Sequence, residues 1–306
     1  MKYSVEQIEN IIYPYMPDSM GEQKNVIEAM NYAFMAGGKR LRPMLVRLAY
    51  DLFAEETIGF SIGDDGLFGG TAVDCFMAAI EMIHSYSLIH DDLPALDNDD
   101  LRRGKPTVHV KFGEPMGILA GDGLLNYAYE TAAKAFRISP GDIRIEKAFM
   151  ILTRKPGITG MIGGQTLDVL KTGQPLTEDE MLYIYENKTA ALIECALMCG
   201  ATLAGAGNIV VDALEQAGKN IGLAFQITDD ILDVTGDERI IGKPLHSDEK
   251  NNKTTYVTLH GIEAAKKAAD DHLKLAESIV AGLSVKDEDA RADLIEIIKK
   301  LGQRDK

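Results

Sequence analysis

Tryptophan is missing from this 306-residue chain, and there are only three cysteines and ten prolines. Cys75, Cys195 and Cys199 make no even disulfide framework, so a reducing, cytoplasmic setting is expected. Cys195 and Cys199 are four apart and share a helix face, but no second Cys or His pair accompanies them. They read as core packing, not as a zinc site. Positive charge is also short, with 32 Lys and Arg against 47 Asp and Glu, a net charge of −15. That balance disfavours nucleic acid and anionic membranes as main partners. Residues 1–15 carry acids early and hold no apolar run of signal-peptide length. The most apolar stretch, Thr189 to Gly207, is interrupted by Glu194 and reads as a buried helix, so no membrane insertion is expected.

Strand-like alternation is scarce too, and Val108 to Val110 is too short to matter. Helical period is what the chain has in quantity. Val5, Ile8, Ile11 and Ile12 fit one amphipathic face, ended by Pro14 and Pro17. Further helices are expected at Leu41 to Leu52, Thr71 to Asp92, Leu119 to Phe136, Asp142 to Leu152, Thr177 to Leu203 and Val211 to Val234. Ile262 to Leu301 reads as two helices split near Gly282. Thr177, followed by Glu178, Asp179 and Glu180, is a capping hydroxyl before a run of acids, as suits a helix N-terminus. Gly59 to Gly70 reads as a surface loop, and the Lys155-Pro156 step fits no recognisable pattern. The expectation is one all-α domain over residues 1–306.

Chemistry concentrates in three clusters. The run from Ile89 to Pro106 holds five aspartates, Asp91, Asp92, Asp97, Asp99 and Asp100, followed at once by Arg102 and Arg103. Bare carboxylates so close would repel, and a hard cation such as Mg²⁺ relieves that repulsion through oxygen ligands. Paired guanidiniums suit bidentate phosphate binding. Pro94 disfavours helical geometry at Leu93, so Asp97 can fold back toward Asp91. Taken alone, this run could also be an acidic solvated loop beside a helix cap. A second cluster weakens that reading: Asp229, Asp230 and Asp233 sit among apolar residues, with Asp229 and Asp233 four apart on one helix face. Two carboxylate clusters with nearby cations imply a multi-metal diphosphate site. The third cluster, Gly37-Gly38-Lys39-Arg40-Leu41-Arg42-Pro43, supplies cations after a flexible glycine pair and lacks the spacing of a P-loop. Lys188, Lys243 and Lys253 are further cations, each weak evidence by itself.

These segments, together with Gly163-Gly164-Gln165-Thr166-Leu167-Asp168 and Lys188-Thr189, occur in order and resemble the trans-isoprenyl diphosphate synthases over most of the chain. The first aspartate-rich segment carries the two-residue insertion seen in bacterial farnesyl and many geranylgeranyl synthases. The resemblance implies the isoprenoid synthase fold, ten or more helices around a deep central cavity, and a homodimer. It also implies Mg²⁺, three ions in all with Mn²⁺ a possible substitute, and isopentenyl and allylic diphosphates as substrates. By motif position, Asp91, Asp92 and Asp97 would serve two ions and Asp229 the third, with Asp230 and Asp233 in the outer shell. Arg102, Lys188 and Lys243 would grip the allylic diphosphate, with Lys253 a further substrate cation. Lys39, Arg42, His84 and Arg103 would hold isopentenyl diphosphate. The Lys188 carbonyl, the Thr189 hydroxyl and the Gln226 amide oxygen would stabilise an allylic carbocation.

Product length would be set by what blocks the pocket beneath the first segment. Tyr86 stands five residues before Asp91, about 7.5 Å along a helix at ~1.5 Å per residue. An aromatic there resembles farnesyl synthases, with Ser87 leaving the floor to Tyr86; simple core packing is the plainer role for that ring. The other readings are a geranylgeranyl synthase, a terpene cyclase and an inactive regulatory subunit. A cyclase is disfavoured by the second Asp-Asp-x-x-Asp segment, and an inactive subunit by the intact aspartates.

Overall fold

The computed structural model describes residues 2–55, 70–235 and 254–302. Lys243, Lys253 and nearly all of the Gly59 to Gly70 loop lie outside the described residues. The described residues are almost wholly helical. Helix α1 spans Val5–Ile12 and runs into a 3₁₀ turn, Tyr13–Tyr15, where Pro14 stops it. Then come α2 (Lys24–Phe34), α3 (Leu41–Asp51), α4 (Ala72–Asp91), α5 (Val108–Phe112), α6 (Glu114–Ile138) and α7 (Ile143–Arg154). The chain continues through α8 (Met161–Leu170), α9 (Glu178–Ile184), a π-helical turn Tyr185–Ala190, α10 (Ala191–Leu203) and α11 (Asn208–Thr235). The last described elements are α12 (Tyr256–His260), α13 (Ile262–Ala281) and α14 (Glu288–Gly302).

The all-α expectation holds, with three local differences. Helices α2, α8 and α12 are not among the expected segments: α8 is broken by Gly163 and Gly164 and α12 has only five residues, whereas α2 carries a regular face of Ile27, Met30 and Phe34 that the sequence does offer. Val108 to Val110 begins α5 and is not extended. The stretch from Thr177 to Leu203 is one helical path, as expected, but it widens into a π turn at its middle.

Helix starts are chemically marked. Ser4, Thr71, Thr177 and Thr255 each accept a backbone N–H from the third helical residue, whose side chain bonds back to the cap. Each such cap is worth about 1 kcal/mol. The two most central helices are largely apolar, each with one buried acid, Glu81 in α4 and Glu194 in α10. All thirteen residues of α10 are buried, and α4 buries Phe76, Met77, Ile80, Met82, Ile83, Tyr86 and Ile89. Helix α4 is the one described helix long and apolar enough to cross a membrane, yet 72% of that stretch is buried inside the bundle, as a core helix is. Around α4 and α10 pack α3, α6, α7 and α11. A smaller apolar cluster, centred on Met181, Ile184, Leu223 and Ile227, ties α9 to α11 and α13. The aspartate-rich segments emerge from the ends of α4 and α11, above these two cores.

Candidate active site

Helix α4 ends at Asp91, and the chain turns back at once. The Asp97 N–H donates to the Asp91 carbonyl at 2.8 Å, and the Asn98 N–H donates to Leu93 at 3.1 Å. Asn98 takes a positive φ of 52°, tolerable for Asn, to close the turn. Asp97 is thus exposed above a half-buried Asp91, in the juxtaposition that Pro94 foreshadowed. Burial pushes the Asp91 carboxyl up to about 6; Lys188 opposes the shift and Asp97 adds to it.

The two adjacent arginines diverge. Leu101–Arg102 and Lys105–Pro106 pair as a small antiparallel hairpin. Its turn residues, Arg103 and Gly104, both take positive φ, at 52° and 72°, as in a type I′ hairpin. Arg102 points back to Asp92, donating Nε to both carboxylate oxygens at 2.7 and 2.9 Å. Arg103, at the tip, donates to the Gly37 carbonyl. Gly38 takes a positive φ of 136°, which favours glycine, and a Cβ there would come 2.7 Å from the Arg103 guanidinium, which would have to shift.

Around that contact lie Arg42 and half-buried His84. Burial lowers Arg42 to about 10, with Glu81 opposing and Arg103 adding. Burial, then Arg42 and Arg103, holds His84 well below the ordinary imidazole value, so it is neutral at pH 7. The Arg42 Nε–H is buried without a partner among the described residues. A buried donor amid cations is what an anionic oxygen satisfies. Lys39 is exposed beside it. Ser87, three residues on from His84, donates to the His84 carbonyl at 2.9 Å. Tyr86 is buried, with its ring edge-on to His90 at 5.8 Å.

The π turn joins the two aspartate-rich segments. Lys188 pairs with Asp168 at 2.7 Å and lies near enough to Asp91 to act on its carboxyl. Its neighbour Thr189 donates to the Gln226 amide oxygen at 2.9 Å. Gln226 in turn reaches Asp230 at 3.4 Å. Asp230 is 3% exposed and also accepts from the Tyr185 hydroxyl at 2.5 Å and the Tyr256 N–H at 3.0 Å. Both its oxygens therefore serve protein donors. Asp229 and Asp233 lie half-buried on the same helix. The turn can wedge between α8 and α11 because two glycines admit it. A Cβ on Gly164 would come 2.3 Å from the Lys188 nitrogen, and one on Gly222 would come 2.2 Å from Ala190.

Several residues here carried no assigned role in the sequence. Gln165 and Asp168 share one face of α8, three apart. Gln165 donates to Asp91 at 2.9 Å, while Asp168 holds Lys188. Arg40 and Glu81 pair in the core at 2.7 Å. Glu81 was visible as the lone acid among the apolar residues from Cys75 to Ile83. Lys155 bridges buried Glu194 and, at 2.6 Å, Glu215, fastening the end of α7 to α10 and α11.

The donor set fits a hard cation. It is all oxygen, Asp91 is a half-buried carboxylate with another acid above it, and the Gln165 amide oxygen is buried with no partner among the described residues. A cation's water would supply the missing donor. Among the described residues, however, no three side chains already converge as a metal cluster.

Helices around facing acidic and basic clusters define the class, and comparison with known proteins gives the family. The polyprenyl synthetase family model matches residues 23–298, and the chain belongs to that family. It is 42% identical over 274 residues to the farnesyl diphosphate synthase of Geobacillus stearothermophilus, covering 89% of this chain and 87% of that one. It is 40% identical to a chloroplastic geranylgeranyl pyrophosphate synthase of Capsicum annuum, covering 91% of this chain and 71% of that one. Among solved structures, a Helicobacter pylori geranyltransferase complexed with magnesium and isoprenyl diphosphate superposes with a TM-score of 0.82. That match has 30% identity and covers 98% of this chain and 95% of the other.

Proposed function

We propose that the chain condenses isopentenyl diphosphate head to tail with dimethylallyl and then geranyl diphosphate, releasing pyrophosphate and ending at farnesyl diphosphate. The observation that carries this reading is the π turn. It sets Lys188 beside the first aspartate-rich segment and Thr189 against the second, so that one turn of chain serves both.

Asp91, Asp92 and Asp97 would hold two magnesium ions and Asp229 a third, with Asp230 and Asp233 behind. When bound, the metal neutralises charge growing on the departing pyrophosphate. Arg102, Lys188 and Lys243 would grip that pyrophosphate, with Lys253 a further substrate cation. Lys39, Arg42, His84 and Arg103 hold isopentenyl diphosphate, its oxygens meeting the unpaired Arg42 Nε–H. Neutral His84 donates to the anion without adding charge. As the allylic C–O bond ionises, the Lys188 carbonyl, the Thr189 hydroxyl oxygen and the Gln226 amide oxygen face the cation. Thr189 spends its proton on Gln226, which leaves its lone pairs for the cation. The double bond of isopentenyl diphosphate attacks, and the surplus proton leaves with the pyrophosphate.

Residues 1–306 are read as one polyprenyl synthase domain, and the working form as a homodimer. Exposed Ile118 and Leu119, adjacent on α6, support a partner copy there. Three free, buried cysteines support a cytoplasmic setting. The test is pyrophosphate release. It should require geranyl diphosphate, isopentenyl diphosphate and Mg²⁺ together, and chelation should stop it. Release from geranyl diphosphate alone, with a cyclic hydrocarbon product, would point instead to a cyclase.

A further inference from the structure

Arg40 is the middle cation of the Gly37 to Pro43 cluster, yet only 2% of it is exposed. Its backbone is left-handed, φ 47° and ψ 37°, in a residue that is not glycine. That geometry turns the side chain into the core. There Nη1 donates to Glu81 at 2.7 Å, Nε to Glu9 at 3.0 Å, and Nη2 to the Tyr13 hydroxyl and the Phe34 carbonyl, both at 2.8 Å. One guanidinium thus binds α1, the 3₁₀ turn, α2 and α4 at the point where α3 begins. Its sequence neighbours fare differently: Lys39 is exposed, and Arg42 is half-buried near enough to Arg103 and His84 to act on both.

Glu81 is 3% exposed and sits one turn before His84 on α4. Its carboxylate opposes not only Arg40 but also Arg42 and Arg103, whose charges would otherwise repel across a partly buried space. Its charge acts on all three of these arginines.

We infer that the Arg40–Glu81 pair is a positioning latch for isopentenyl diphosphate: it fixes the start of α3, so that Lys39 and Arg42 meet Arg103 and His84 around one diphosphate. Neither residue touches substrate. The latch rests on the reading that these four side chains form the isopentenyl diphosphate site. It predicts an effect confined to one substrate, because the allylic side is held separately, by Arg102 on Asp92 and by Lys188 on Asp168.

The experiment compares KM for isopentenyl diphosphate and for geranyl diphosphate in Glu81→Gln, Glu81→Asp and Arg42→Ala, with thermal unfolding alongside. Glu81→Gln should raise KM for isopentenyl diphosphate at least tenfold and leave that for geranyl diphosphate within twofold. Glu81→Asp, which keeps the charge, should recover part of the loss. Should Glu81→Gln fail to fold, Arg40→Lys keeps the charge, loses the fork of bonds and should show the same selectivity. If Arg42→Ala weakens isopentenyl diphosphate and the latch variants do not, the latch is wrong and the site stands. If neither does, the site assignment falls and the latch with it. Equal rises for both substrates, tracking lost thermal stability, would reduce the pair to a general core contact.

Discussion

The backbone N–H of Asp97 donates to the backbone carbonyl of Asp91 at 2.8 Å, so the chain leaving α4 folds over its own end. Two acids six apart in sequence, which a continuous helix would send to different faces, are stacked instead. This fold-back makes the first carboxylate cluster, and it has a cost that pH should reveal.

Asp91 is raised to about 6, above the ordinary carboxyl value near 4. The protonated form is favoured in the folded state, so its stabilising effect is fully present below pH ~4 and is lost as pH rises through about 6. Asp91→Asn should therefore make the metal-free protein more stable than the parent at pH 7.5, with the gap closing toward pH 4. Thermal unfolding with chelator measures it. Cation binding needs the carboxylate, so the Mg²⁺ concentration for half-maximal activity should rise as pH falls below about 6. A Mg²⁺ requirement unchanged between pH 7.5 and 5 would remove Asp91 from the metal site.

Tyr86 is 6% exposed and lies one helical stretch below Asp91. Tyr86→Ala removes the ring and should shift product toward C20 and longer, read by chromatography of the dephosphorylated alcohols. An unchanged distribution would leave Tyr86 as ordinary core.

Gly222→Ala places a methyl 2.2 Å from the Ala190 Cβ, which neither helix can absorb without moving. Overpacking of this kind costs roughly 1–3 kcal/mol, and the displaced turn carries Lys188 and Thr189. Both melting temperature and kcat should fall. Loss of stability with full kcat would show that the π turn's position is not critical.

Thr189→Val keeps the shape and deletes the hydroxyl that bonds Gln226 at 2.9 Å. Since its oxygen is read as facing the developing cation, kcat should drop on the order of 10²-fold, the scale of one lost electrostatic donor. KM for both substrates should stay near the parent's. A rise in KM with kcat intact would assign Thr189 to ground-state binding.

The helices were legible because most carry a clear apolar period or a capping hydroxyl, as at Thr71 and Thr177. Asp91, Asp97, Arg102 and Arg103 were legible as a charge pattern that makes sense only around a cation and phosphates. The divergence of Arg102 and Arg103 was not, since it depends on a two-residue hairpin turn with Arg103 at positive φ. The inward role of Arg40 was not legible either: the sequence shows it only as one cation of the Gly37 to Pro43 cluster, and its left-handed backbone, which accompanies its burial, leaves no mark in the spacing. The π turn was hidden because an inserted residue leaves helical spacing almost intact. Lys243 and Lys253 lie outside the described residues.

The most direct measurement incubates the purified protein with isopentenyl diphosphate, Mg²⁺ and either dimethylallyl or geranyl diphosphate, and determines product chain length. A dominant C15 product from both starters is the predicted result. No chain elongation from either starter, with magnesium saturating and the protein folded, would contradict it, and a dominant C20 product would keep the chemistry and overturn the farnesyl assignment.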